Sequence, residues 1–213
     1  MARTPVSDKP LVWIDTETTG LDPVENEVIE IAIIRPLDNG SELTFCKKLR
    51  LERPETAHPK ALEVNGYTPE TWAEAEPQEV VWREIAERGL LENCIIAGHN
   101  VGFDARMIQE SFKRHNIERD GRPVRIDYHM YDTVTLALEH LQPYVKSVSL
   151  GAVCVALGIP VRNAHSALAD ARMAMEVSRV LRTAPNVAGW ADLIRERLAA
   201  WEEAGKPKAW GVS

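Results

Sequence analysis

Cysteine is scarce in this 213-residue chain. Cys46, Cys94 and Cys154 are odd in number and lack metal-ligand spacing, which excludes a disulfide framework and points to a reduced, cytoplasmic setting. Long apolar runs are missing too. None approaches the roughly 18 residues of a membrane-spanning helix, so no membrane role is expected. The opening stretch MARTPVSDKP has none of the apolar character of a secretory leader. Nor is there a basic excess: 25 Lys and Arg against 32 Asp and Glu give a net charge of −7, which argues against a partner held by positive charge alone. Internal repeats, low-complexity tracts and long linkers are also lacking. The length suits one main domain, residues 1–184, with residues 185–213 forming a C-terminal helix and tail docked on it.

What the chain does have is a series of acids set inside or at the ends of apolar segments, where an uncompensated charge is costly. Asp15 and Glu17 lie in LVWIDTETTGL, Asp104 in AGHNVGFDARM, and His165 with Asp170 in AHSALADARMA. Residues two apart on a strand share a face, so Asp15 and Glu17 project together. Two oxygen donors side by side suit Mg²⁺ or Mn²⁺. Taken alone, Asp-x-Glu usually marks a solvated strand end, and Asp104 in a helix's first turn is already favoured by the helix dipole. His165, at a loop-to-helix junction, has the exposure a general base needs to reach a water. Bound divalent ions would cancel the local negative charge, so the acidic balance does not exclude a phosphate-bearing substrate.

Apolar patterning predicts strands over 11–15, 27–35 and 43–51, close enough together for an antiparallel meander. Helices are expected over 78–91, 102–115, 133–140, 149–157 and 166–183, with further strands at 94–97 and near 125–131. Asp132 and Ser149 read as helix N-caps, and Asp132 reads better so than as a fifth metal ligand. Three strands followed by alternating helices and strands imply a mixed sheet with helices packed on it. In the last segment Trp190, Leu193, Ile194, Leu198 and Trp201 fall on one helical face. The densest basic run, Lys113, Arg114 and His115 with Arg119, Arg122 and Arg125, reads as a solvated face, with phosphate tracking as the alternative.

Three motifs in order give the series its meaning: Asp15-Thr16-Glu17-Thr18-Thr19-Gly20-Leu21, His99-Asn100-Val101-Gly102-Phe103-Asp104, and His165-Ser166-Ala167-Leu168-Ala169-Asp170. Over about residues 10–183 the chain resembles the DEDDh branch of the DnaQ-like 3′→5′ exonucleases. That family includes the proofreading subunit of bacterial DNA polymerase III, ribonuclease T and oligoribonuclease. The resemblance implies an α/β, ribonuclease H-like fold, a five-stranded mixed sheet flanked by helices. It implies two divalent ions, Mg²⁺ or Mn²⁺, held by Asp15, Glu17, Asp104 and Asp170, with His165 taking a proton from the attacking water.

The same resemblance places the terminal nucleotide against Thr18, Thr19, Gly20 and Leu21, with Thr18 bonding the 3′ hydroxyl through its backbone and Leu21 packing on a base. Asn65 and Tyr67 are expected in the same pocket, and Phe103 in the core. The implied substrate is the 3′ end of single-stranded DNA or RNA, with DNA favoured by the second motif. An oligoribonuclease-like or ribonuclease T-like enzyme acting on RNA is the alternative. A polymerase-associated module working through partners is a further one, which the tryptophans of the tail, Trp190, Trp201 and Trp210, keep in view. Any polymerase would be a separate protein, and monomer, homodimer and polymerase-bound subunit all stay open.

Overall fold

The structure, a computed structural model, describes residues 6–183 and 187–206. Strand β1 (Leu11–Thr18) is central. It pairs antiparallel with β2 (Val28–Pro36), which pairs antiparallel with β3 (Glu42–Lys48). The turn Asp38-Asn39-Gly40 joins β2 to β3, and its composition is that of a tight hairpin connection. Two short helices follow, α1 (Pro59–Asn65) and α2 (Gln78–Glu87). Strand β4 (Ile95–Gly98) then returns parallel to β1 on its other side and feeds α3 (Val101–Arg114).

A small hairpin of β5 (Glu118–Arg119) and β6 (Arg122–Pro123) stands apart from the main sheet. Strand β7 (Met130–Asp132) completes that sheet parallel to β4. Helices α4 (Thr133–Leu141), α5 (Leu150–Leu157), α6 (Ala167–Thr183) and α7 (Ala191–Glu203) follow. The strand order is β3-β2-β1-β4-β7, a five-stranded mixed sheet as expected.

Alternation along β1 sorts its side chains between two layers. Val12 and Ile14 join Ile31, Ile33, Trp82, Ile108 and Phe112 under α2 and α3. Trp13 joins Ala32 and Ile34 on the opposite face, under Ala167, Ala171 and Ala174 of α6. Methyl side chains along one stripe of α6 let that helix approach the sheet closely. Asp15 and Glu17 continue the Trp13 row, so the pleat that builds the core also delivers both acids to the α6 side.

Several elements differ from the sequence pattern. The third strand ends at Lys48 because Leu49 leaves the ladder to bridge Glu76. The fifth strand is only three residues long, and the chain between it and α3 is partly spent on the β5–β6 hairpin. Helix α1, unforeseen, starts at Pro59, behind a cap in which the His58 ring accepts from the Lys60 N–H. It has no fully buried residue, so its sequence carries no strong apolar stripe. Residues 88–91 form a turn rather than the end of α2.

Helix α7 lies on α5, with Ile194 and Trp201 buried and an Arg197 N–H donating to the Ala156 carbonyl at 3.2 Å. Leu193, expected on the buried face, is instead 43% exposed. Trp190 belongs to a 3-10 turn (Val187–Trp190) preceding α7 and is half-buried; Trp210 lies outside the described residues. No helix among the described residues is long and apolar enough to cross a membrane.

Candidate active site

The sheet gathers the four carboxylates at one end of β1. Asp15 and Glu17 sit in its last turns of pleat, and Glu17 is opposite Glu30 of β2. Asp170 enters from the first turn of α6, and its Oδ2 accepts the His165 backbone N–H at 3.3 Å. His165 is exposed and holds a left-handed backbone, φ 69°. That conformation is uncommon for a residue with a side chain, and it persists where the surroundings impose it. Ligand atoms of Glu17, His165 and Asp170 all lie within 4.8 Å of one another.

Asp104 comes from the other side of the sheet. Helix α3 starts after Asn100, whose N–H donates to Asp132 Oδ1 at 2.9 Å. The same oxygen takes the Val134 N–H at 2.9 Å, so Asp132 is the N-cap of α4 and also fixes the entry to α3. Asp104 Oδ1 accepts twice from Thr16, from its N–H at 2.9 Å and its hydroxyl at 2.7 Å. Thr16 points to the α3 layer while its neighbours Asp15 and Glu17 point to the α6 layer. The two donors therefore tie Asp104 to the strand that carries the other acids.

Crowding shows in the ionisation of these groups. Burial, followed by the charges of Asp104, Asp170, Glu17 and Glu30, holds the Asp15 carboxyl well above the usual carboxylate range. Burial likewise pushes Asp104 up to about 7, against the opposing pull of its Thr16 bonds. Glu30, buried between strands, is raised for the same first reason. A set of acids that repel one another's charge is a set that a cation would stabilise. Carboxylate oxygen donors suit hard divalent ions, so Asp15, Glu17, Asp104 and Asp170 fit the expected metals.

Beside the acids lies an open cleft of about 700 Å³. Thr18, Gly20, Leu21 and Asn65 line it, as do Glu17 and His165. Leu21 is 83% exposed at its rim. Gly20 is needed for a close approach: a Cβ there would fall 2.4 Å from Asn26 Oδ1. The Thr18 hydroxyl donates to the Gly20 carbonyl at 2.8 Å, tightening the turn. Thr19 is fully buried and does not line the cleft; its hydroxyl accepts the Glu27 N–H at 2.9 Å. Tyr67 is also outside the lining, packed on Trp72 with ring centroids 5.1 Å apart.

Phe103, expected in the core, is half-buried: it packs on the core and lines the cleft as well. His58 and Lys60 also line it and were not singled out from sequence, and Val64 lines it beside Asn65. They sit on α1 or its cap, and only the Pro59 start and the Gly66 stop hinted at that helix. Much of the basic run is committed elsewhere. Arg114 donates to the carbonyls of Pro23, Val24 and Asn26, and Arg119 pairs with Glu92 at 2.7 Å.

The sequence model of an exonuclease family (RNase_T) matches residues 12–178. The chain belongs to that family. Family members are hydrolases acting on phosphodiester bonds. Among curated relatives, DNA polymerase III of the PolC type from Thermotoga petrophila is 31% identical over 166 residues, covering 78% of this chain and 11% of the relative. The corresponding Bacillus cereus protein is 29% identical over 167 residues, again covering 78% and 11%. The chain thus spans about a tenth of the length of these curated relatives.

Solved exonuclease I from Methylocaldum szegediense is 26% identical with a TM-score of 0.67, covering 83% of this chain and 41% of that one. E. coli exonuclease I in complex with a dT13 oligonucleotide is 20% identical, also at 0.67, covering 91% and 46%. These likenesses establish the ribonuclease H-like exonuclease fold, the five-stranded mixed sheet with flanking helices.

Proposed function

We propose that this protein is a metal-dependent 3′→5′ exonuclease that removes nucleoside 5′-monophosphates from single-stranded ends, with DNA as the favoured substrate. The observation that carries the reading is the convergence of ligand atoms of Glu17, His165 and Asp170 within 4.8 Å, beside an open cleft that Glu17 and His165 line together with Leu21 and Asn65. The PolC-type relatives are DNA polymerases by name, which supports DNA as the substrate and a proofreading or trimming role.

Asp15, Glu17, Asp104 and Asp170 would hold two divalent ions, Mg²⁺ or Mn²⁺. When bound, such ions neutralise the phosphate, orient it and make water a better nucleophile at neutral pH. The protein's own groups do the rest. The cleft takes the terminal nucleotide, with Leu21 at the rim positioned to lie against a base. Thr16 fixes Asp104, and Asp170 fixes the His165 backbone, so the acids are preorganised before substrate arrives. His165, exposed at the mouth, accepts a proton as the water oxygen bonds to phosphorus and the bond from phosphorus to the 3′ oxygen breaks. The leaving 3′ oxygen gains a proton and becomes the new end, and the water oxygen departs on the 5′-phosphate.

The test compares 5′-labelled single-stranded DNA and RNA of one sequence, with Mg²⁺ or Mn²⁺, using wild type and Asp15→Ala. A ladder that shortens from the 3′ end, requires metal and is absent from the variant is the expected outcome, faster on DNA. A faster RNA ladder would move the assignment to RNA. Absence of any ladder with metal shown to be bound would overturn the nuclease reading. His165→Ala, at equal metal occupancy, should lose most of its turnover; full turnover would remove the general-base role.

A further inference from the structure

Tyr128 is 74% exposed, just ahead of the edge strand β7. Its ring adds little to any core, yet the turn that presents it is firmly held. Asp127 Oδ1 accepts from the backbone N–H of His129 at 3.2 Å and from its ring Nδ1 at 2.9 Å. The other Asp127 oxygen takes the ammonium of Lys9, a side chain only 5% exposed. The His129 ring lies against Tyr128 with centroids 4.1 Å apart, which backs one face of the tyrosine and leaves the other to solvent.

Two cations without partners flank this platform. Arg106 and Arg125 are exposed and, among the described residues, make no ion pair or hydrogen bond. Segment 124–126 is laced to α3 through Gln109, which donates to the Val124 carbonyl at 3.2 Å and accepts the Ile126 N–H at 3.1 Å. Arg106 stands one turn before Gln109 on α3, so the two share a side of the helix. Its Nη1 reaches back to 3.7 Å from where a Gly102 Cβ would stand. An open groove of about 500 Å³ runs between α3 and the laced segment, with Lys113 and Arg125 on its walls. The acids are close by. Asp132, four residues beyond Tyr128, holds the Asn100 N–H one turn ahead of Asp104, and four residues span at most about 14 Å.

We propose that Tyr128, Arg106 and Arg125 form a second nucleic-acid contact, which stacks a base of the single strand upstream of the bond to be cut and holds its phosphates. This rests on the exonuclease reading above. The nucleotide to be released lies in the cleft on one side of the acids. The retained strand, which ends in the leaving 3′ oxygen, must therefore run out past them on another side. The β7 edge is open there and offers what a flexible strand of any sequence needs: an aromatic face for a base and guanidinium groups for phosphate. The one acid of the turn, Asp127, is already matched by Lys9, so the arginines leave the patch positive on a chain that carries −7 overall.

The test reads binding and turnover separately. Fluorescence anisotropy with chelator present, so that no end is cut, gives Kd for a single-stranded thymidylate dodecamer. Tyr128→Ala should weaken it roughly fivefold or more, the usual worth of one stacked base, and Tyr128→Phe should not. Arg106→Gln and Arg125→Gln should each flatten the slope of log Kd against log salt by about 0.7. With Mg²⁺, Tyr128→Ala should raise KM for the dodecamer at unchanged kcat, and leave cleavage of a dinucleotide, too short to reach the platform, as in wild type.

Variants that bind and cut the dodecamer as wild type does would overturn the proposal and leave the exonuclease reading standing. So would a weaker Kd with no change in KM, because the contact would then lie off the path of the substrate. A wild type that binds through Tyr128 but cuts neither oligonucleotide would overturn the exonuclease reading and the upstream role with it.

Discussion

Asp104 is the residue whose chemistry changes most on folding. It trades water for two Thr16 donors and a buried place near other acids, and its carboxyl rises to about 7. In an unfolded chain an aspartate titrates near 4. The folded, metal-free protein therefore holds a proton here that the unfolded chain has released. The stability this confers is fully present below about pH 4 and is lost as the pH rises through about 7. Asp104→Asn keeps the acceptor for both Thr16 bonds and cannot ionise. In chelator it should flatten the fall in Tm across that window and raise Tm at neutral pH by roughly 2–4 °C for each kcal/mol recovered. Thermal melts from pH 4 to 8 check this; an unchanged slope would show that the cost lies elsewhere.

At the scale of elements, the strands that carry the acids were legible and the parts that shape the cleft were not. β1 declares itself because its apolar positions are continuous and its acids share one face. β2 and α6 declare themselves for similar reasons of periodicity. Helix α1 does not: it buries no residue fully, so nothing in its pattern separates it from a loop, yet it supplies His58, Val64 and Asn65 to the cleft. Tyr67 and Thr19 were drawn towards the site by their sequence neighbours, but packing on Trp72 and the bond to Glu27 hold them away from it. Helix α7 is anchored chiefly by Ile194 and Trp201 on α5. Trp201→Ala should cost about 3 kcal/mol in urea unfolding, with cleavage by the folded protein unaffected. A loss under about 0.5 kcal/mol, the range of ordinary surface changes, would mean that the ring adds nothing to docking.

For the whole molecule, the site is a balance between core and charge. Two apolar layers on either side of one sheet hold together an acid cluster that repels itself. An ion that binds the folded cluster, and not the unfolded chain, must stabilise the protein by mass action, by about 2.7 kcal/mol at a hundredfold excess over Kd. Mg²⁺ or Mn²⁺ should accordingly raise Tm at neutral pH in wild type and far less in Asp15→Ala. Equal rises in both would argue against a specific site. The overall charge of −7 is consistent with this view, because part of it is local and is the kind that bound ions offset.

The sequence by itself determined the frame and the candidate groups: the acids set inside or at the ends of apolar segments, the histidine beside the last of them, and the alternation that builds a mixed sheet with helices on it. These are local properties, since pleat and helix period fix which side chains share a face. Only the tertiary structure decided which neighbours of the motifs reach the cleft, that Thr16 clasps Asp104 from the strand carrying the other acids, and that Asn65 meets Thr18 from 47 positions away. Contacts between residues so far apart depend on how layers pack and where turns place helix ends, and no short-range pattern encodes that.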